Sequence, residues 1–502
     1  MFDLTSISEK LPTVVKPVSK LTFRDKLKWT FLILIFYFIL GSILVYGVNP
    51  EAVAQFEFME IVFGSKFGSL LTLGIGPIVT ASIILQLLVG SKIIDWDIHG
   101  KDKAKFAGTQ KILAVLFCFF EAIAFVVAGA VPPSSPAFAL LVILQLAAGG
   151  IIVIFMDEVC SKWGFGSGIS LFIAAGVSKT IFLRTFAIPL GAEGSGGVIS
   201  TFILNLAGGQ PLAGFEALMP LIATIFVFVI VVFSQAMKVE IPMAFSVPFG
   251  KFASRRWPLK FIYASNIPVI LVAAVLANVQ ILGSVLASRG ITLLGEFDEN
   301  KHAINGIAYL LTPPHSLSLT IMVMFAGVFA VAFVYMASRF WRKYALRSSV
   351  IGAAIGIMFA LILMKAVNLP NVTLPTSSDG FRALIYMLVM VFGSIIFSIF
   401  WVNTAGMDAH TVAEQFKSAN LMIPGFRRDP RIIESVLGKY IPALSVLGGA
   451  FVGFLAGFAD LTGALGSGTG ILLAVMIIYQ FYENIMREHG HEMPEFVRRI
   501  AK

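Results

Sequence analysis

Apolar and polar residues alternate along this chain in long blocks. Apolar runs occupy residues 29–47, 73–90, 112–131, 137–156, 167–188, 217–234, 264–286, 319–338, 349–367, 383–402, 441–459 and 469–486. At about 1.5 Å rise per residue, runs of about 20 match a hydrocarbon layer about 30 Å thick, so the pattern predicts twelve membrane-spanning helices. The stretch 71–90, LTLGIGPIVTASIILQLLVG, is broken near its start by Gly74, Gly76 and Pro77. Irregular backbone at membrane depth persists only where protein or a water-filled cavity satisfies its polar groups. Residues 74–77 are therefore expected to face an interior that the rest of the chain builds.

The connectors carry their own pattern. Residues 49–67 are too short and acidic to cross, yet hold Phe56, Phe58, Ile61 and Val62, as a short helix folded back beside the broken span would. The glycine-rich connector 189–216 reads as a flexible hinge between a first half, 29–188, of five spans and a second half, 217–486, of seven. Five is odd, so the second half starts from the opposite side of the membrane, as inverted repeats require. Residues 235–262 contain two β-prone runs around Pro248, Phe249 and Gly250, which predicts a protruding hairpin. A second large loop spans 403–440.

Composition agrees with the pattern. The 502 residues are 58% hydrophobic and 13% charged, with a mean hydropathy of +0.90, against roughly 25% charged in a soluble domain. Residues 1–28 are polar and basic and the first apolar run is long enough to span, so no cleavable signal peptide is expected. Charge then sets orientation. With 1–28 and 487–502 inside, 30 of the 37 lysines and arginines fall on the cytoplasmic side, 4 outside and 3 within spans. Lys251, Arg255 and Arg256 in the hairpin and Arg427 and Arg428 in the second loop lie away from span ends, where topology alone does not require them; such charges suit RNA phosphate. Cys118 and Cys160 supply neither a disulfide framework nor a zinc site.

Chemistry within the spans is sparse. Glu121, Lys179, Arg184 and Lys365 are isolated, and no relay spacing joins them. Glycine clusters at Gly164, Gly166 and Gly168, and at Gly466, Gly468 and Gly470, lack the Gly-Lys-Ser/Thr ending of a phosphate loop and read as helix openings. His489 and His491 have no further ligand, so no metal, cofactor or catalytic site is expected. Ile75 and Val79, and Ile169 and Ile173, each share a helix face and could line an apolar constriction that resists water and ions. Three classes fit these features: a channel, a secondary transporter, which would need midplane ligands that are scarce here, and a structural scaffold.

Five blocks in order, LTLGIGPIVTASIILQLLVG (71–90), GFGSGISLFIAAGVS (164–178), PLKFIYASNIPVIL (258–271), IPGFRRDPRIIE (423–434) and GALGSGTGILL (463–473), make the chain resemble the SecY family of protein-conducting channels, in its archaeal and eukaryotic form. The resemblance implies an all-α polytopic membrane protein. Ten spans would form two halves clamped around a pore, with 49–67, including Phe56, Phe58, Ile61 and Val62, as a plug. It implies a pore ring of Ile75, Val79, Ile169, Ile173, Ile270 and Leu473, with Leu472 the alternative to the last, and a lateral gate with Thr80, Asn278 and, by proximity, Gln86. Lys251, Arg255, Arg256, Arg427 and Arg428 would meet the ribosome.

The implied function is conduction of unfolded secretory polypeptides, with sideways release of apolar segments into the lipid bilayer, and no enzymatic activity. Implied partners are single-span SecE/gamma-type and beta-type subunits, the ribosome, the signal recognition particle receptor pathway, and signal sequences of nascent chains. The implied site is the archaeal plasma membrane, with the endoplasmic reticulum as alternative. The chain departs from the family in its extra pair of runs, 319–338 and 349–367, whose connector bears Arg339, Arg342, Lys343 and Arg347. It also has Asn403 where an acid is common and Lys179 where a neutral polar residue is usual.

Overall fold

The computed structural model describes residues 12–490 except 49–67, 91–92, 95, 97–101, 128, 130, 189–195, 247–251, 266, 289, 299–302, 315–321, 324–325, 328, 331–344, 368–376, 419–420, 423–429 and 467. In chain order the elements are α1 (Phe23–Leu40), α2 (Gly76–Gly90), α3 (Lys103–Val127), α4 (Ala139–Trp163), α5 (Gly168–Phe186), α6 (Val198–Ala207) and α7 (Pro211–Ala236). They are followed by β1 (Lys238–Ser246), β2 (Phe252–Lys260), α8 (Ile267–Ser288), α9 (Gly306–Leu310), α10 (Ala345–Val367), α11 (Ser377–Thr404), α12 (Ala409–Ser418), β3 (Leu421–Met422), α13 (Pro430–Leu461) and α14 (Gly468–His489). Among the described residues, eight helices are long and apolar enough to cross a membrane, on α3, α4, α5, α7, α8, α11, α13 and α14.

The run at 73–90 differs from the expected length. Residues 68–75 are turns, and only 15 residues form α2. Gly68 and Gly74 adopt positive φ, 78° and 52°, which side-chain-bearing residues avoid. The turns satisfy their own backbone: Thr72 donates its N–H to Ser69 O, Gly74 to Leu71 O and Gly76 to Leu73 O, while Leu70 donates to Ile43 O. Ser69, Leu71, Thr72 and Leu73 are all buried. The irregular backbone thus sits inside protein, where its polar groups are satisfied without water. α4 approaches it closely, since a Cβ on Gly149 would collide with the Leu70 carbonyl; Gly150 faces α3, and a Cβ there would lie 2.7 Å from Cys118 Sγ.

Two large apolar cores stand out among the described residues. The first gathers residues of α1 to α5 around Phe172, whose ring stacks on Tyr37 at 4.5 Å. The second gathers α7, α8, α11, α13 and α14. Its tightest seam is α11 against α13, where Gly449, Gly453 and Gly457 let the backbones meet; a Cβ on Gly453 would strike the Met390 carbonyl. Pro220 is tolerated inside α7, where Thr224 Oγ donates to the Pro220 carbonyl and accepts from Leu465 N–H.

The connector 189–216 is not a continuous loop. Val198–Ala207 form a helix, Gly208 and Gly209 make the turn, and α7 already starts at Pro211. The apolar sequence VISTFILNLA overrides the glycines on either side of it. The expected hairpin forms from β1 and β2 in antiparallel register, with Lys238 opposite Lys260. β3 pairs with β1, so the second loop joins the same sheet. Of the run 319–338 only short pieces are described: Gly327 lies against Phe458 and Phe226, and Phe329 packs at 5.5 Å on Phe359 of α10.

Candidate functional site

A cavity of about 470 Å³ opens where α2, α3, α5, α8 and α14 converge. Its wall is mainly apolar. Ile75, at the end of the turns, and Val79, on the first full turn of α2, line one side; Ile173 comes from α5, Ile270 from α8 and Leu473 from α14. Five of the six expected ring positions therefore share one cavity. Leu473, not Leu472, reaches it, because Leu472 is fully buried in the second core.

Ile169 does not reach this wall. It lies four residues, about 6 Å along the axis, before Ile173, and packs against the first core, as Ile173 also does, without lining the cavity. Gln86 is also outside the cavity. It is six residues, about 9 Å, beyond Thr80, and its Nε2 donates to Ser82 Oγ at 3.2 Å on its own helix.

Four polar side chains interrupt the wall: Thr80, Glu121, Asn278 and Thr469. Thr80 Oγ donates to Glu121 Oε1 at 3.2 Å, joining α2 to α3, and Asn278 of α8 lines the same cavity. Glu121 Oε2 is buried without a hydrogen-bond partner among the described residues. Along the sequence Glu121 stands alone, and its partner lies 41 residues away, so no spacing rule could have joined them. α2 also touches α11, so the pairs α2–α3 and α8–α11 meet along one seam.

A second cavity, of about 420 Å³, lies farther along α14, where Met476 and Gln480 continue the face that bears Leu473. Gln235, Lys260 and Gln415 complete its polar side. It sits at the base of the sheet. There Tyr263 donates its hydroxyl to the Met407 carbonyl at 2.8 Å, and Trp257 meets Phe416 edge-on at 4.5 Å. Burial pushes the Tyr263 phenol up to about 12, so it stays a donor at neutral pH.

The basic positions are only partly described. Arg255 stands on β2 opposite Met243. Arg256 donates to Glu240 at 3.1 Å, and this hydrogen bond holds the Glu240 carboxyl below its usual range. Lys251, Arg427 and Arg428 lie outside the described residues, as do Phe56, Phe58, Ile61 and Val62. Lys179, one of the departures noted above, is exposed with its ammonium 5.7 Å over the Phe38 ring.

A family model described as SecY matches residues 69–482. The chain belongs to the SecY family. It is similar, at 42% identity over 501 residues, to the protein translocase subunit SecY of Methanocaldococcus jannaschii, with 100% of this chain and 99% of that one covered. Among solved structures it resembles one of a SecY protein whose plug domain stabilises the closed state of the translocation channel and maintains a membrane seal. The TM-score is 0.71 at 42% identity, over 97% of each chain. It also resembles Sec61 in the canine ribosome–channel complex from the endoplasmic reticulum, with a TM-score of 0.70 at 40% identity over 97% of each chain. As a SecY-family chain, this is a multi-pass membrane protein and a pore-forming subunit of a protein translocase.

Proposed function

We propose that this SecY-family chain is a passive path for unfolded secretory polypeptides, and that the cavity between α2, α5, α8 and α14 is its closed constriction. The observation that carries this reading is the convergence of Ile75, Val79, Ile173, Ile270 and Leu473 on one apolar wall. Such a wall disfavours water and ions by dewetting yet yields to a flexible chain. Ile169 would extend the seal one turn along α5.

The seam between α2–α3 and α8–α11 is the proposed lateral gate, held by Thr80, Glu121 and Asn278. An apolar segment in the cavity would leave through it into lipid. The hairpin end is the proposed cytoplasmic face, with both termini on that side by charge placement. There Lys251, Arg255, Arg256, Arg427 and Arg428 would meet ribosomal RNA, as the likeness to ribosome-bound Sec61 supports. Residues 49–67 are the proposed plug, in line with the plug domain of the similar SecY structure. Small SecE/gamma-type and beta-type subunits would clamp the halves, and the signal recognition particle receptor pathway would deliver clients. The plasma membrane is the proposed location, supported by likeness to an archaeal relative. No enzymatic step is assigned; the driving force comes from synthesis.

Replacing Ile75, Val79 and Ile173 together with glycine is expected to raise the ion conductance of resting channels in planar bilayers severalfold; wild-type conductance would remove these residues from the seal. Thr80→Val takes a donor from a buried carboxylate and should weaken the closed gate by about 1–3 kcal/mol. The expected result is greater translocation of clients with shortened apolar signals, and an unchanged yield would contradict the gate assignment. Reversing Arg427 and Arg428 to glutamate should weaken ribosome binding and lower its salt dependence by about one to two units of log–log slope. Unaltered binding would leave those arginines a role in topology alone.

A further inference from the structure

The two glycine clusters noted in the sequence form one device used twice. Residues 166–168 and 466–468 both read Gly-Ser-Gly, and each triplet ends on the first residue of a helix, Gly168 of α5 and Gly468 of α14. Both opening glycines have positive φ, 148° at Gly166 and 97° at Gly466. Five residues after the closing glycine stands a cavity-wall side chain, Ile173 in one copy and Leu473 in the other. The residue just before each, Phe172 and Leu472, is fully buried in its own core.

Each helix start is held by a carboxylate from the preceding helix. On α4, Asp157 accepts the N–H of Ile169 at 2.9 Å, with the Ser167 hydroxyl 3.4 Å from the same oxygen. On α13, Asp460 accepts the N–H of Gly468 at 2.6 Å through one oxygen and the Tyr386 hydroxyl at 2.8 Å through the other. Ser167, at the ordinary capping position, makes no capping hydrogen bond, so Asp157 takes that place. Side-chain-free glycine is required on both sides. A Cβ on Gly168 would lie 2.7 Å from Asp157 Cα, and one on Gly468 would collide with the Ala456 carbonyl.

A carboxylate at a helix N-terminus is favoured by both the unpaired N–H groups and the helix dipole. Here it does more than cap, because it belongs to a different helix and fixes one helix against the next. Five residues are about 7.5 Å, or roughly one and a half turns, so a helix pinned at its first residue has little freedom at the wall residue. We propose that Asp157 and Asp460 are the positioning residues of the constriction, each fixing the height and rotation of the helix that presents Ile173 or Leu473 to the cavity. The proposal rests on the reading of that cavity as the closed pore.

The test uses the full-length chain with its membrane partner subunits, reconstituted in planar bilayers. Asp157→Ala and Asp460→Ala should raise resting ion conductance roughly tenfold, within the factor of about 2 to 30 that a lost helix-start hydrogen bond is worth. Asp157→Asn and Asp460→Asn, which keep an acceptor oxygen, should stay near wild type. Ile173→Gly is the control for the pore reading. Asp157→Ala combined with Ile173→Gly should leak no more than Ile173→Gly alone, since the aspartate acts through that side chain.

Wild-type conductance in both alanine variants, or a leak that adds in full to that of Ile173→Gly, would overturn the positioning role and leave the pore reading intact. No leak from Ile173→Gly would overturn both. Should the alanine variants fail to assemble, Asp157→Glu and Asp460→Glu, which keep the charge but displace the acceptor, take their place with the same expected leak. Failure of all variants except wild type to assemble would assign the aspartates to folding and end the proposal.

Discussion

Every backbone amide taken out of water must find a partner inside the protein, and the largely buried residues 68–76 meet that demand through turns in place of helix. Gly68 and Gly74 allow turns that a regular helix would not make, and the turns close hydrogen bonds among Ser69, Leu71, Leu73 and their neighbours. They remain viable because α4 covers them, and α4 can come this close to their backbone because residue 149 is glycine. Shortening α2 in this way also sets the position of Ile75 and Val79. Both lie at the rim of the turn, facing the space that α5, α8 and α14 enclose.

That space is a consequence of two cores being packed separately. Phe172 and Tyr37 anchor the first, and the glycine seam of α13 on α11 anchors the second. The side chains left over at their junction are aliphatic or aromatic, apart from Thr80, Glu121, Asn278 and Thr469. A mostly apolar wall with few polar side chains, three of them on α2, α3 and α8, fits a pore that must resist ions yet open sideways. The sheet at one end ties β1, β2 and β3 with α12 and the start of α13 into one small core, so the two basic loops are carried on a common support.

Much of this was legible in the sequence. Eight of the twelve apolar blocks coincide with described helices long and apolar enough to span, β-prone runs around Pro248 and Gly250 marked the hairpin, and five ordered motifs marked the family. What was illegible depended on contacts between distant residues. Nothing in the local pattern joins Thr80 to Glu121, distinguishes Leu472 in the core from Leu473 on the wall, or lifts Ile169 out of the cavity while leaving Ile173 in it. The α6 helix was hidden for a different reason: ten residues between glycine clusters, seven of them apolar, are too few to announce a span, yet enough to fold against α7.

The central claim, that a polypeptide passes the Ile75–Val79 rim, is tested most directly by crosslinking. A single cysteine would replace Val79, with Cys118 and Cys160 removed, and the channel would be engaged by ribosome-stalled secretory chains of increasing length, each with one cysteine. The account predicts crosslinks that shift along the client as it lengthens, because successive residues pass the same point. Absence of any crosslink at Val79, with ribosome docking and partner subunits intact, would contradict it.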